Sequence, residues 1–187
     1  MPLFYIGIGS NLCFGELSPE ELIAVAVREL GKIGGLIGHS SLYRTEPVGM
    51  VDQPAFVNAA VAVETRLEPE ELLRALIGIE REYGRDRTGQ NGTASVPKGP
   101  RTLDLDLLLA VDERGVGIVH ASPSLTLPHA EMAHRRFVLA PLAEIAPELR
   151  HPVLGRTVAE LLAGLASEGP NAVEAVQLVE TESEGAR

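Results

Sequence analysis

The hydrophobic pattern changes period several times along the chain. Residues 3–9, LFYIGIG, form a short β-rich apolar run ending in glycine and predict a first strand. Ser18-Pro19-Glu20-Glu21 carries a helix-start signature: Ser18 as N-cap, proline at the first helical position and acids in the first turn. Leu22, Val25, Ala26, Glu29 and Leu30 continue that helix to about Leu30, before Gly31, Gly34, Gly35 and Gly38. Residues 39–45, HSSLYRT, predict a second strand, and 56–65, FVNAAVAVET, a third. In the third, Val57, Ala59, Val61 and Val63 take one face; Phe56, Asn58, Ala60 and Ala62 take the other. Pro69-Glu70-Glu71 opens a second helix through about Tyr83, with Leu72, Leu73, Leu76, Ile79 and Glu80 at helical spacing. LDLDLLLAV predicts a fourth strand and VGIVHA, 116–121, a short extra one. The stretches EMAHRRFVLAPLAEIA and VLGRTVAELLAGL are helical.

The order is β-α-β-β-α-β, then mostly helix. It predicts an α+β fold of ferredoxin-like type, an antiparallel sheet with helices on one face and extra C-terminal helices. No internal repeat or interdomain linker interrupts the chain, so 1–168 is expected to be a single domain and 169–187 an acidic tail. Two connections, 46–55 and 84–100, exceed the ~4–6 residues usual in compact domains, and such loops are often functional.

The fourth strand places two acids in the most apolar segment of the chain. Asp104 and Asp106 share one face, ~7 Å apart along the backbone, while Leu103, Leu105 and Leu107 take the other. Two neighbouring carboxylates repel unless a cation lies between them. Mg²⁺ suits such a pair because it fills its remaining shell with water and phosphate oxygens. Arg101, three residues upstream, adds the cation that phosphoryl-type transfer uses to stabilise developing charge. By itself the Asp-x-Asp pair serves equally as a partner for Arg or Lys on an exposed sheet face.

Composition narrows the partners. The chain has 187 residues, 45% apolar and 22% charged, with net charge −10. That balance disfavours nucleic acid, which needs clustered cations. Basic residues nevertheless gather locally. Arg85, Arg87, Lys98 and Arg101 form one group, and Arg135 and Arg136 sit beside His129 and His134. A local basic pocket in an acidic protein suits a small polyanion. The lone Cys13, the absence of a signal-peptide pattern and the lack of a long apolar run lead to the expectation of a cytoplasmic protein without a membrane partner. No GxxxxGK[ST] run is present, and His129 and His134 with one cysteine do not make a zinc set. A non-catalytic small-molecule regulatory domain on the same fold is the remaining alternative.

The segments YIGIGSNL, YRTEPVGMVDQPAFVNAAVAVET, GPRTLDLDLLL and LTLPHAEMAHRRFVLAPLAEIAP resemble the 6-hydroxymethyl-7,8-dihydropterin pyrophosphokinases of folate biosynthesis, over about residues 4–160 in unbroken order. The resemblance implies transfer of pyrophosphate from ATP to the pterin hydroxymethyl oxygen, giving the pterin diphosphate and AMP. It implies two Mg²⁺ ions on Asp104 and Asp106, and polyphosphate contacts by Arg85, Arg101 and Arg135. It implies His129 and Glu80 on the nucleotide side. Phe56 and Phe137 are implied to sandwich the flat pterin, Asn58 to read its edge, and Thr45 and Val48 to offer backbone contacts. Without the resemblance, Phe56 and Phe137 read as core rings, whereas Asn58 is unusual in a strand. A monomer is the expectation. The chain departs from the family at Lys98, where many members have tryptophan. It also departs at Ala130, at Glu46 and in the longer 86–98 loop with its QNGTAS insert.

Overall fold

The computed structural model describes residues 1–46, 53–85, 99–166 and 176–178. The chain folds as an α+β structure on a six-stranded antiparallel sheet. β1 (Leu3–Ser10) lies between β5 (Asp104–Val111) and β4 (Phe56–Glu64). β2 (Gly35–His39) and β3 (Tyr43–Thr45) both pair with β4 on its other side. β8 (Val176–Leu178), within the acidic C-terminal segment, pairs with β3.

β2 and β3 replace the single expected strand at 39–45. The hydroxyl of Ser40, between them, accepts the Ala60 N–H at 2.9 Å while the Ser40 N–H donates to the Ala60 carbonyl at 2.9 Å. A side chain thus takes a ladder position and the strand breaks there. The expected strand at 116–121 is reduced to β6 (His120–Ala121), which forms a small hairpin with β7 (Thr126–Leu127).

α1 (Pro19–Ile33) begins at a reciprocal cap: the Glu21 N–H donates to the Ser18 hydroxyl and the Ser18 N–H to the Glu21 carboxylate. It continues three residues past the expected end, because Gly31 costs a helix only about 1 kcal/mol and Leu30 is fully buried beneath it. It stops at Gly34, where a Cβ would come 2.4 Å from the Glu64 carbonyl oxygen. α2 spans Pro69–Glu82. α3 (Arg136–Ile145) follows a 3₁₀ turn at Met132–His134. α4 (Val158–Ala166) starts later than its apolar pattern, because Thr157 and Glu160 cap each other.

Helices cover both faces of the sheet, where one was expected. α1 and α2 bury Ile23, Ala26, Leu30, Leu72, Leu76 and Ile79 against Ile6, Ile8, Val61 and Leu105. On the opposite face α3 and α4 bury Val138, Leu139, Leu142, Val158 and Leu161 against Tyr5, Ala60, Ala62 and Leu108. The amphipathic period shows that a helix has one apolar stripe but not which sheet face receives it. Among the described residues no helix is long and apolar enough to cross a membrane.

Candidate active site

The second sheet face changes character along its length. At one end α3 and α4 cover it with apolar contacts. At the other end its residues are polar or glycine. The strand registers set Asn58 of β4 opposite Gly9 of β1, and Gly9 opposite Asp104 of β5. One step along, Ala60, Gly7 and Asp106 form a second row. β1 therefore presents no side chain at two positions between the amide of Asn58 and the two carboxylates. Adjacent strands lie about 4.8 Å apart, so the two sides of this floor are separated by about 10 Å. Glycine keeps this row open: a Cβ at position 9 would sit 3.3 Å from Asn58 Oδ1, a tight contact, and 3.9 Å from the Asp104 Cβ.

On the amide side, Asn58 is buried and donates from Nδ2 to Thr45 Oγ1 at 2.9 Å. Thr45 is itself buried and pairs with Phe56 across the β3–β4 ladder. The bond turns the amide oxygen of Asn58 towards Gly9. Phe56 and Asn58, two apart on β4, stand on the same face as predicted. Phe56 and Phe137 are both only partly buried, and Phe137 packs against the rim of the second core.

On the carboxylate side, both Asp104 and Asp106 are partly exposed on that face. Asp104 is held by two arginines, Oδ1 accepting from Arg85 and Oδ2 from Arg101. The Arg101 guanidinium also lies 5.7 Å from the centre of the Phe56 ring, and that of Arg135 lies 5.8 Å from the centre of the Phe137 ring. Two of the three predicted phosphate arginines, Arg101 and Arg135, thus lean on a predicted pterin ring, a favourable cation–π placement. Arg135 caps α3 and so stands one residue ahead of that helix and two ahead of Phe137.

His129 is partly buried; its N–H bonds the Leu108 carbonyl at 2.8 Å, which hangs the 127–131 segment on the edge of β5. Its Nδ1 accepts the Glu131 N–H at 3.2 Å. Glu80 departs from expectation. Its side chain is fully buried, and Oε1 accepts from the Leu105 N–H at 2.8 Å and from Arg85 Nη1 at 2.9 Å. A carboxylate sunk at this depth meets protein donors. Val48, Arg87 and Lys98 lie outside the described residues, as does the 86–98 loop.

Sequence reasoning missed Asn11 and Ser10. Asn11 is 2% exposed and works as a staple. Its Oδ1 accepts the Arg101 N–H at 2.8 Å, and its Nδ2 donates to the Pro54 carbonyl at 3.0 Å and to Gln53 Oε1 at 3.2 Å. The Ser10 hydroxyl donates to the Thr102 carbonyl at 2.5 Å. Together they tie the segment before Asp104 to the segment before Phe56. The one available signal was a polar Ser-Asn pair closing an apolar strand.

Two carboxylates on an open face fit a metal whose other ligands come from substrate. Among the described residues no group of three or more His, Cys, Asp or Glu is placed to hold an ion alone. Mg²⁺ bound by one or two carboxylates with phosphate oxygens and water needs no such group.

Comparison with known proteins identifies the family. Residues 5–147 match the family model described as 7,8-dihydro-6-hydroxymethylpterin-pyrophosphokinase. The chain is 42% identical over 167 residues to the 2-amino-4-hydroxy-6-hydroxymethyldihydropteridine pyrophosphokinase of Pseudomonas aeruginosa, covering 88% of this chain and 93% of that one. It is 40% identical over 172 residues to the enzyme of the same name from Methylorubrum extorquens, covering 91% and 98%. It is also 40% identical to the folic acid synthesis protein Fol1 of Schizosaccharomyces pombe, of whose length it spans 21% while 88% of this chain is covered. Among solved structures, wild-type Plasmodium falciparum HPPK-DHPS with pteroate superposes with a TM-score of 0.63 at 16% identity, over 89% of this chain and 42% of that one. That last likeness concerns the fold alone. By its sequence matches, the chain belongs to the 7,8-dihydro-6-hydroxymethylpterin-pyrophosphokinase family.

Proposed function

We propose that the cleft between Asn58 and the Asp104–Asp106 pair is where this chain transfers pyrophosphate from ATP to 6-hydroxymethyl-7,8-dihydropterin, releasing AMP. The observation that carries the reading is the glycine floor of β1, with the buried amide of Asn58 on one side and a carboxylate pair with two arginines on the other. On this reading Phe56 and Phe137 stack on the pterin, since offset stacking rewards a flat heterocycle. Asn58, whose amide both donates and accepts, reads the pterin edge, and Thr45 fixes which way that amide points. Val48 adds a backbone contact from the 46–55 connection.

Asp104 and Asp106 would hold two Mg²⁺ ions. When bound, these supply charge neutralisation for the triphosphate and lower the pKa of the attacking hydroxyl. The chain's own residues do the rest. Arg85, Arg101 and Arg135 bind polyphosphate oxygens, and His129 adds a contact from the β5 edge. Arg101, leaning on Phe56, orients the phosphate chain towards the pterin side. We name no side chain as general base, because the carboxylates nearest the reacting atoms are committed as ligands. Residues 1–168 are read as one catalytic domain acting as a cytoplasmic monomer on two small-molecule substrates.

A nucleotide product assay tests this. Purified protein with ATP, Mg²⁺ and the hydroxymethyldihydropterin should release AMP only when both pterin and metal are present. ADP as product would place the attack at the wrong phosphorus. Pterin binding without any nucleotide product would favour the non-catalytic alternative.

A further inference from the structure

Glu80 is a fully buried acid at the C-terminal end of α2, and its carboxylate meets donors of different kinds. The first is the N–H of Leu105, the residue between Asp104 and Asp106. β5 is an edge strand paired only with β1 inside the main sheet. The Leu105 N–H points away from β1, and Glu80 satisfies it as a neighbouring strand would. The second partner is Arg85. Its Nη1 meets Glu80 Oε1 at 2.9 Å, the Leu103 carbonyl at 3.2 Å and Asp104 Oδ1. Arg85 is thus shared between a buried carboxylate and a site carboxylate. The Arg85 N–H also donates to the Glu80 carbonyl at 2.9 Å, closing the connection at both backbone and side chain.

We infer that Glu80 is a positioning residue that acts through Arg85 and β5, sharing Arg85 with Asp104 so that a divalent cation can compete for the Asp104 carboxylate. The inference rests on the reading of Asp104 and Asp106 as metal carboxylates. The charge balance argues for it. Arg85 stands between two anionic partners, Glu80 and Asp104. Without the charge of Glu80 the attraction of Arg85 shifts towards Asp104. That attraction competes with a cation for the same oxygen. With Glu80 ionised, Arg85 keeps an anionic partner when a cation takes Asp104, and stays within reach of a polyphosphate.

A merely structural role predicts otherwise, and Glu80→Gln separates the two. Gln keeps the size and an oxygen that accepts from both donors, but not the charge. The probe is Mn²⁺, titrated by electron paramagnetic resonance with and without a non-hydrolysable ATP analogue. E80Q should bind Mn²⁺ about tenfold more weakly than wild type, the scale seen for residues that orient metal ligands. Its melting temperature should not fall, and kcat should drop more than KM for ATP rises. Arg85→Ala removes the competing guanidinium, so the affinity for Mn²⁺ alone that E80Q loses should return in the double variant. Wild-type Mn²⁺ affinity in E80Q, or a loss that persists unchanged in the double variant, overturns the inference. Should E80Q fail to fold, Glu80→Asp keeps the charge with a shorter reach. Mn²⁺ affinity near wild type despite lower stability then supports the inference, and loss of both together overturns it. Asp104→Asn is the control: Mn²⁺ binding indifferent to that change would overturn the metal reading itself.

Discussion

At Asp104 two guanidiniums meet one carboxylate on a sheet face that is open to ligands. Asp104→Ala removes a proposed metal ligand and leaves the stacking pair untouched. Turnover, measured as AMP release, should fall by ~100-fold or more, while pterin affinity measured by fluorescence stays near wild type. Near-normal turnover would remove Asp104 from the mechanism. Phe137→Ala truncates a partly buried ring at the start of α3. It should weaken pterin binding by about tenfold, ~1.4 kcal/mol, and ATP binding less. A larger loss for ATP would mean that the pocket is assigned the wrong way round. The cation–π contact between Arg135 and Phe137 makes some effect on ATP part of the expectation.

Among the elements, β1 has the least conspicuous part and one of the most constrained. Its Phe4, Ile6 and Ile8 enter the core beneath α1 and α2, while Gly7 and Gly9 face the cleft. Gly9→Val suits a strand by propensity, so the fold should survive. The new side chain would stand against Asn58 Oδ1, which already lies 3.3 Å from the position of a Cβ. Pterin affinity should therefore fall sharply with little change in thermal stability. A variant that binds pterin normally would show that the floor of β1 does not bound the site. β5 and α2 work as a pair in the same sense, because Glu80 joins the end of the helix to the strand that carries both aspartates.

For the molecule as a whole, two cores on opposite sheet faces must stay closed for the sheet between them to hold the candidate site's row of residues in place. His151, in the turn between α3 and α4, is 7% exposed, and its Nδ1 accepts the N–H groups of Val153 and Leu154. Burial pushes its pKa below the ordinary value near 6.5. The unfolded chain therefore takes up a proton before the native chain does. Stability linked to His151 is present above about pH 6.5 and is lost as pH falls towards the depressed native pKa. Urea midpoints at pH 7.5 and 5.5 should differ, with the acid value lower. His151→Asn, which keeps a short polar cap, should reduce that difference. An unchanged pH slope in the variant would assign the loss to other groups.

The sequence by itself determined the α+β class, the starts of α1 and α2, and the shared faces of Asp104 with Asp106 and of Phe56 with Asn58. These follow from local causes: caps, proline, and the two-residue period of a strand. Long motifs also carried the family resemblance. Only tertiary structure decided that helices cover both sheet faces, and that Ser40 splits the strand beside β4 by bonding Ala60. The same holds for the Asn58–Gly9–Asp104 row, which depends on two registers between strands distant in sequence. Glu80 shows the limit most clearly. Its helical spacing marks it as a residue on the core-facing side of α2, but its partners come from Arg85 and Leu105, and no period along the chain encodes such a meeting. Asn11 is a second case, since its bonds reach residues some 42 and 90 positions away. Local geometry is written in neighbouring residues, whereas a buried polar group is satisfied by whichever distant donors the packed fold brings to it.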